Sequence, residues 1–295
     1  MHYERECWEA PDGDFIHVDW AGDPRAINLL VLFHGLEGGS RAPYARKLAA
    51  LAAERGWRIA VPHFRGCSGR PNHKVRGYHA GDSRELDWIL RRFAATLGSP
   101  VYAAGVSLGA NALLRWLGEH AEDARRVVLR AVAVSAPFDL VVTGGALERG
   151  FSRVYAKYFL RHDLRGKALA KLFSFAGAYE AHRVRGAATL REFDDAVTAP
   201  VHGFLDVDDY WRRAAARPWL ERIRVRTLLL NARNDPFLPE HVLDATVRLQ
   251  KAGKLPQELT LEFPEEGGHA GFGWRERWLA RRVFEFLTAQ DGTGR

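Results

Sequence analysis

Apolar positions along the chain follow two rhythms. Ile27 to Phe33, Trp57 to Pro62, Val101 to Ala104 and Val127 to Val134 are short, nearly continuous apolar runs. Such runs predict strands buried on both faces of a parallel sheet. Between them the spacing changes to three and four. After Ser40, a candidate N-cap, Tyr44, Leu48, Leu51 and Ala52 share one helical face, and from about Asp82 to Leu97 so do Leu86, Ile89, Leu90 and Phe93. A helix-like run also spans Ala110 to Leu117. The N-terminus differs: strand-like pieces at Glu4 to Glu9 and Phe15 to Trp20 flank Pro11-Asp12-Gly13-Asp14, a turn signal that predicts an antiparallel hairpin.

The alternation stops between about Phe138 and Trp219. This span is helix-like, rich in arginine and dense in aromatics. Alternation resumes with a strand at Val225 to Leu230, a helix at Pro239 to Leu249, a strand at Leu259 to Phe263 and a helix from about Trp274 to Thr288, before a frayed tail at Asp291 to Arg295. The pattern predicts one α/β domain: a mostly parallel sheet with helices on both faces, a core of residues 1–137 and 220–290, and a helical cap inserted at about 138–219. In the insertion Arg149, Arg153, Lys157, Arg161 and Arg165 recur every fourth residue beside Phe151, Tyr155 and Phe159. On a helix these make a basic stripe next to an aromatic one: a core face with a solvated face, or a lid that meets an anionic lipid surface or an acidic substrate group.

Candidate chemistry lies at the predicted strand ends, where open α/β sheets carry their working loops. Gly105-Val106-Ser107-Leu108-Gly109 follows the Val101 strand and precedes a helix, the arrangement of a nucleophile elbow. A serine hydroxyl is a weak nucleophile at neutral pH and needs a base oriented by a carboxylate. His269 lies in the glycine-rich loop after the Leu259 strand. Two acids compete for the third role, Asp235 after the Val225 strand and Asp139 after the Val127 strand. The backbone N–H of Leu108 and that of Leu36, in the loop His34-Gly35-Leu36-Glu37-Gly38-Gly39, are the candidate oxyanion donors. His34 is expected to hold that loop's shape rather than serve as base. Cys67 is expected to be a small buried filler, and His63, His73, His79 and His202 to be solvated or structural.

With these motifs in hand the chain resembles the α/β-hydrolases over nearly its whole length. More narrowly it is similar to the bacterial esterase-like branch called AB-hydrolase family 4, related to abhydrolase-domain lipases and medium-chain acyltransferases. The matching strings are Phe33 to Gly38, Phe64 to Gly69, Gly105 to Gly109, Asn231 to Phe237 and Gly267 to Phe272. The resemblance implies Ser107 as nucleophile, His269 as base and Asp235 as acid, in a serine carboxylic-ester hydrolase for short- to medium-chain acyl esters that needs no metal or cofactor. The Asn231 to Phe237 string and Pro236, which fixes the backbone behind the acid, favour Asp235 over Asp139.

Composition narrows the setting. The 295 residues are 47% hydrophobic and 27% charged, ordinary for a globular protein. Two cysteines give no disulfide framework, no apolar run reaches the roughly 18 residues of a membrane span, and the charged first residues do not read as a secretory signal, so a cytoplasmic location is expected. The net charge of +7 comes without a nucleic-acid-binding motif. The expected partner is a small ester, lipid-derived or not, with no stable membrane insertion and room for transient contact with an anionic membrane surface. An acyltransferase or a peptidase would use the same triad, and a non-catalytic binding protein of this fold would be expected to have lost a member of it.

Overall fold

A computed structural model describes residues 2–272 and 277–290. Among them the strands are β1 (Glu4–Glu9), β2 (Phe15–Ala21), β3 (Leu29–Phe33), β4 (Arg58–Pro62), β5 (Val101–Val106), β6 (Val128–Val134), β7 (Arg226–Leu230) and β8 (Leu259–Glu262). They form one sheet in the order β1-β2-β4-β3-β5-β6-β7-β8. β1 and β2 pair antiparallel, β2 meets β4 antiparallel, and every later pairing is parallel. The expected α/β architecture with its N-terminal hairpin is therefore present.

Side-chain alternation along β3 shows how the sheet is sandwiched. Leu29, Val31 and Phe33 enter one core with Leu86, Ile89 and Leu113, whereas Leu30 and Leu32 enter a second with Leu48, Val283 and Phe284. The first face is covered by α2 (Ser83–Leu97) and α3 (Leu108–Ala124), the second by α1 (Pro43–Glu54) and α12 (Trp278–Thr288). The expected start of the last helix at Trp274 and the Asp291 to Arg295 tail lie outside the described residues.

Three expectations are corrected in detail. Ile27 is 88% exposed and precedes β3, so the apolar run overreaches the strand. Ser40 does not cap α1, whose N-cap is Ala42 without a side-chain hydrogen bond; its hydroxyl donates instead to Asp19 Oδ2 at 2.5 Å. The helix after the elbow begins at Leu108 and runs on to Ala124, past Leu117, with a non-helical residue at Ala121.

Between β6 and β7 the chain forms α4 (Leu140–Leu147), α5 (Gly150–Phe159), a π turn (Leu160–Leu164), α6 (Arg165–Lys171), α7 (Ala181–Gly186) and α8 (Leu190–Phe193). A second π turn (Asp194–Thr198), α9 (Ala199–Val201), α10 (Val207–Ala214) and a 3-10 turn (Arg217–Arg222) complete it. α11 (Glu240–Lys251) follows β7. The segment has its own small core around Leu160, Val184 and Phe193. Two lysines of α6 fasten it to the sheet's loops: Lys167 pairs with Glu37 and donates to the Gly66 carbonyl at 2.9 Å, and Lys171 donates to Asn72 Oδ1 at 2.6 Å.

Candidate active site

The six parallel strands β3 to β8 end on one side of the sheet, and the loops after β3, β5, β7 and β8 carry Leu36, Ser107, Asp235 and His269. Ser107 follows β5 and is held at φ 55° and ψ −122°, a left-handed backbone that costs a non-glycine residue energy and is stabilised only by its surroundings. The flanking glycines explain how the turn fits. A Cβ on Gly105 would lie 2.6 Å from the Ala110 Cα, and one on Gly109 would lie 2.5 Å from the His34 carbonyl oxygen. Strand and helix thus approach too closely for any side chain at either position.

The serine hydroxyl donates to His269 Nε2 at 2.9 Å, and His269 Nδ1 donates to Asp235 at 3.0 Å to Oδ2 and 3.2 Å to Oδ1. This pattern assigns the neutral imidazole its Nδ1–H tautomer. Asp235 is 5% exposed, and its Oδ1 also accepts the Phe237 N–H at 2.9 Å, so the carboxylate is fixed in place. The Phe237 ring packs against the imidazole with the ring centroids 4.2 Å apart.

Asp139 is placed elsewhere. Its carboxylate accepts the Val142 N–H at the start of α4 and the Arg217 guanidinium at 2.5 Å. It anchors the helical segment at entry and exit and makes no bond to His269.

Leu36 and Leu108 line the same cavity as Ser107 and His269. The Leu36 loop is held by three side chains. His34 Nε2 accepts the Phe64 N–H at 3.0 Å while its Nδ1 bonds the Gly35 carbonyl at 2.7 Å, Tyr44 accepts the Gly35 N–H at 3.0 Å, and Tyr78 accepts the Glu37 N–H at 2.9 Å. Burial drives the His34 pKa down to about 3, so it stays neutral. That is the shape-holding role expected for it. Burial also pushes the Cys67 thiol up, against any role as a reactive thiolate.

Several supporting residues had escaped the sequence reading. Asn234 Oδ1 accepts the N–H groups of Gly267 and Gly268, at 3.0 and 2.8 Å, and Ser135 Oγ accepts that of Ala270 at 3.0 Å. His269 is thereby clamped from both sides. Asn111, fully buried on α3, ties the turn after Ser107 to Ala80, Ala214 and Ala216. Asn234 stands one residue before the candidate acid, which was the one available hint. Among the described residues no group of three or more His, Cys, Asp or Glu side chains could hold a metal ion.

The cavity over these groups has a volume of about 230 Å³. Its walls are mostly apolar, with Leu140, Tyr155, Phe193 and Trp211 from the segment between β6 and β7.

This strand order and elbow define an α/β-hydrolase fold, and the comparisons agree. The family model for the alpha/beta hydrolase fold matches residues 28–276, and the chain belongs to that family. It is 40% identical over 291 residues to YheT of Escherichia coli, which carries the provisional name of an esterase, with 95% of this chain and 83% of that protein covered. It is 27% identical over 281 residues to mouse phospholipase ABHD3, covering 92% of this chain and 67% of the mouse protein. Among solved structures, the Pyrococcus furiosus esterase Pf2001 superposes with a TM-score of 0.64 at 18% identity, covering 97% of this chain and 90% of that one. At that identity the likeness speaks for the fold.

Proposed function

We propose that the protein is a serine ester hydrolase acting on short- to medium-chain acyl esters through an acyl-serine intermediate. The observation that carries this reading is the hydrogen-bonded line from Ser107 through His269 to Asp235, with Ser107 and His269 lining a mostly apolar cavity. The esterase and phospholipase names of relatives aligned over nearly the whole chain support it.

In this reading His269 Nε2 takes the hydroxyl proton as Ser107 Oγ attacks the ester carbonyl. The tetrahedral oxyanion is held by the Leu36 and Leu108 N–H groups, the latter at the first residue of α3, where the helix dipole favours negative charge. The imidazolium, stabilised by Asp235, returns its proton to the leaving alcohol. Water enters by the same base and releases the acid. The helices of residues 138–219 act as a cap whose apolar side chains hold the acyl chain, each buried methylene contributing about 0.8 kcal/mol. A panel of p-nitrophenyl esters of increasing chain length tests the substrate class. A rise in kcat/KM from acetyl to medium chains, lost by up to about 10⁶-fold in turnover in Ser107→Ala, is the expected result. A flat series, or turnover that survives Ser107→Ala, overturns it.

The exposed side of α5 gives a second feature. Arg153, Val154 and Tyr158 stand exposed there, with Arg149 before the helix and Arg161 after it. This mixture of cationic and apolar groups suits transient contact with an anionic lipid surface. No helix among the described residues is long and apolar enough to cross a membrane.

A further inference from the structure

The far wall of the cavity carries a charge-bearing group that the ester-cleaving reaction does not use. α8 is followed by the π turn Asp194–Thr198, where hydrogen bonds reach one residue further than in an α-helix. Asp194, Val197 and Thr198 all line the cavity. Asp194 Oδ1 accepts the Thr198 hydroxyl at 2.7 Å, and Oδ2 accepts the Trp211 indole N–H at 3.0 Å. A carboxylate offers roughly four acceptor sites, so these two donors leave capacity unfilled. Among the described residues no basic side chain forms an ion pair with it. Burial pushes this carboxyl up to about 6, against the opposing pull of its hydrogen bonds from Thr198 and Trp211.

Apolar side chains link the two ends. Leu108, next to Ser107, packs in one apolar cluster with Leu140 and Trp211, and Trp211 donates to Asp194. Ser107, Leu108, Leu140, Trp211 and Asp194 all line the one cavity, so an apolar chain seated on these side chains would extend from Ser107 toward the carboxyl. A methyl terminus there would displace solvent from the carboxyl without supplying a donor in its place. A terminus that donates a hydrogen bond would supply one.

The geometry points to Asp194 as a specificity-determining residue that accepts a hydrogen bond from a donor group, a hydroxyl or an ammonium, at the end of the substrate's acyl chain. This rests on the ester-hydrolase reading for the orientation of the chain, and binding separates the two. In Ser107→Ala, which cannot turn the ligands over in that reading, calorimetry compares methyl octanoate with methyl ω-hydroxyoctanoate and methyl ω-aminooctanoate. The expected result is at least one polar-ended ester bound about tenfold or more tightly than would follow from its apolar portion alone, as for hydrogen bonds to charged groups. The hydroxyl and amino arms tell the two donors apart. In the wild type, kcat/KM for the matching p-nitrophenyl esters is measured beside Asp194→Asn and Asp194→Leu. Recognition makes the ratio of polar-ended to methyl-ended substrate collapse in both variants. A purely structural carboxyl lowers both substrates together and leaves the ratio unchanged. Equal ratios in wild type and variants, with no polar preference in the binding series, overturn the inference. If no ester is cleaved but the binding preference is present and needs Asp194, the hydrolase reading fails and the recognition stands.

Discussion

His34 Nε2 accepts the backbone N–H of Phe64 at 3.0 Å, across two neighbouring loops at the carboxyl ends of β3 and β4. Through its other nitrogen the same ring holds the Gly35 carbonyl, one residue before the candidate oxyanion donor Leu36. A fully buried imidazole with both nitrogens engaged fixes the loop by geometry alone. His34→Ala leaves the Phe64 N–H without this partner, which costs about 1–3 kcal/mol. A displaced oxyanion donor lowers kcat by about 10²-fold. Thermal melts and steady-state kinetics measure the two effects. A variant that loses stability but keeps kcat contradicts the positioning role.

Asp235 and Asp139 make opposite predictions. Asp235 orients His269, so Asp235→Asn loses about 10⁴ in turnover while the fold persists. Asp139 caps α4 and pairs with Arg217; Asp139→Asn keeps a capping oxygen and loses only the half-exposed ion pair, so it costs at most about 1 kcal/mol of stability and little turnover. Kinetics and melting curves on the two variants decide, and the reverse ranking moves the acid to Asp139.

A buried network under the sheet's edge gives a pH prediction. Asp19 accepts Arg5 at 2.6 Å and Ser40 at 2.5 Å, and its Oδ2 lies 2.8 Å from His63 Nε2. Burial opposes the charge, yet these hydrogen bonds outweigh it and hold the carboxyl far below its usual range. A depressed folded-state pKa contributes stability that is present above the unfolded value of about 3.9 and is lost as pH falls below it. Asp19→Asn therefore lowers Tm at pH 7, and the penalty shrinks once the pH drops under about 4. A penalty independent of pH down to acid denaturation speaks against the charge as its source.

Much of the site was legible because its chemistry sits at strand ends. The apolar runs marked β3, β5, β7 and β8, and Ser107, Asp235 and His269 each stand in the loop that follows such a run. What stayed hidden depends on partners distant in sequence. Ser40 read as a helix cap because capping is local, whereas its partner Asp19 lies across the fold. Ser135 and Tyr78 carried no signal, since neither the Ala270 N–H nor the Glu37 N–H is near them along the chain. The π turns were equally invisible: a hydrogen bond shifted by one residue leaves the spacing of apolar residues almost unchanged. Arg165 shows the same limit, since it read as part of a basic stripe yet its guanidinium turns inward to the Ala187 carbonyl.

The cationic face of α5 is tested with liposomes. Arg149, Arg153 and Arg161 are expected to bring the protein to anionic vesicles at low ionic strength and to release it as salt rises, since the screening length falls to about 10 Å at 0.1 M. Arg153→Glu together with Arg161→Glu abolishes sedimentation with the vesicles. Binding that ignores salt, or survives both charge reversals, rejects the surface role.

The central claim is that Ser107 is the attacking nucleophile, and covalent labelling tests it most directly. A fluorophosphonate reacts with a serine only where a base removes its proton and an oxyanion site receives the developing charge. Intact-protein mass spectrometry of the wild type should show one adduct, mapped by peptide sequencing to Ser107. Ser107→Ala should remain unlabelled, and His269→Ala should label far more slowly. An adduct on another residue, or undiminished labelling of folded Ser107→Ala, contradicts the account.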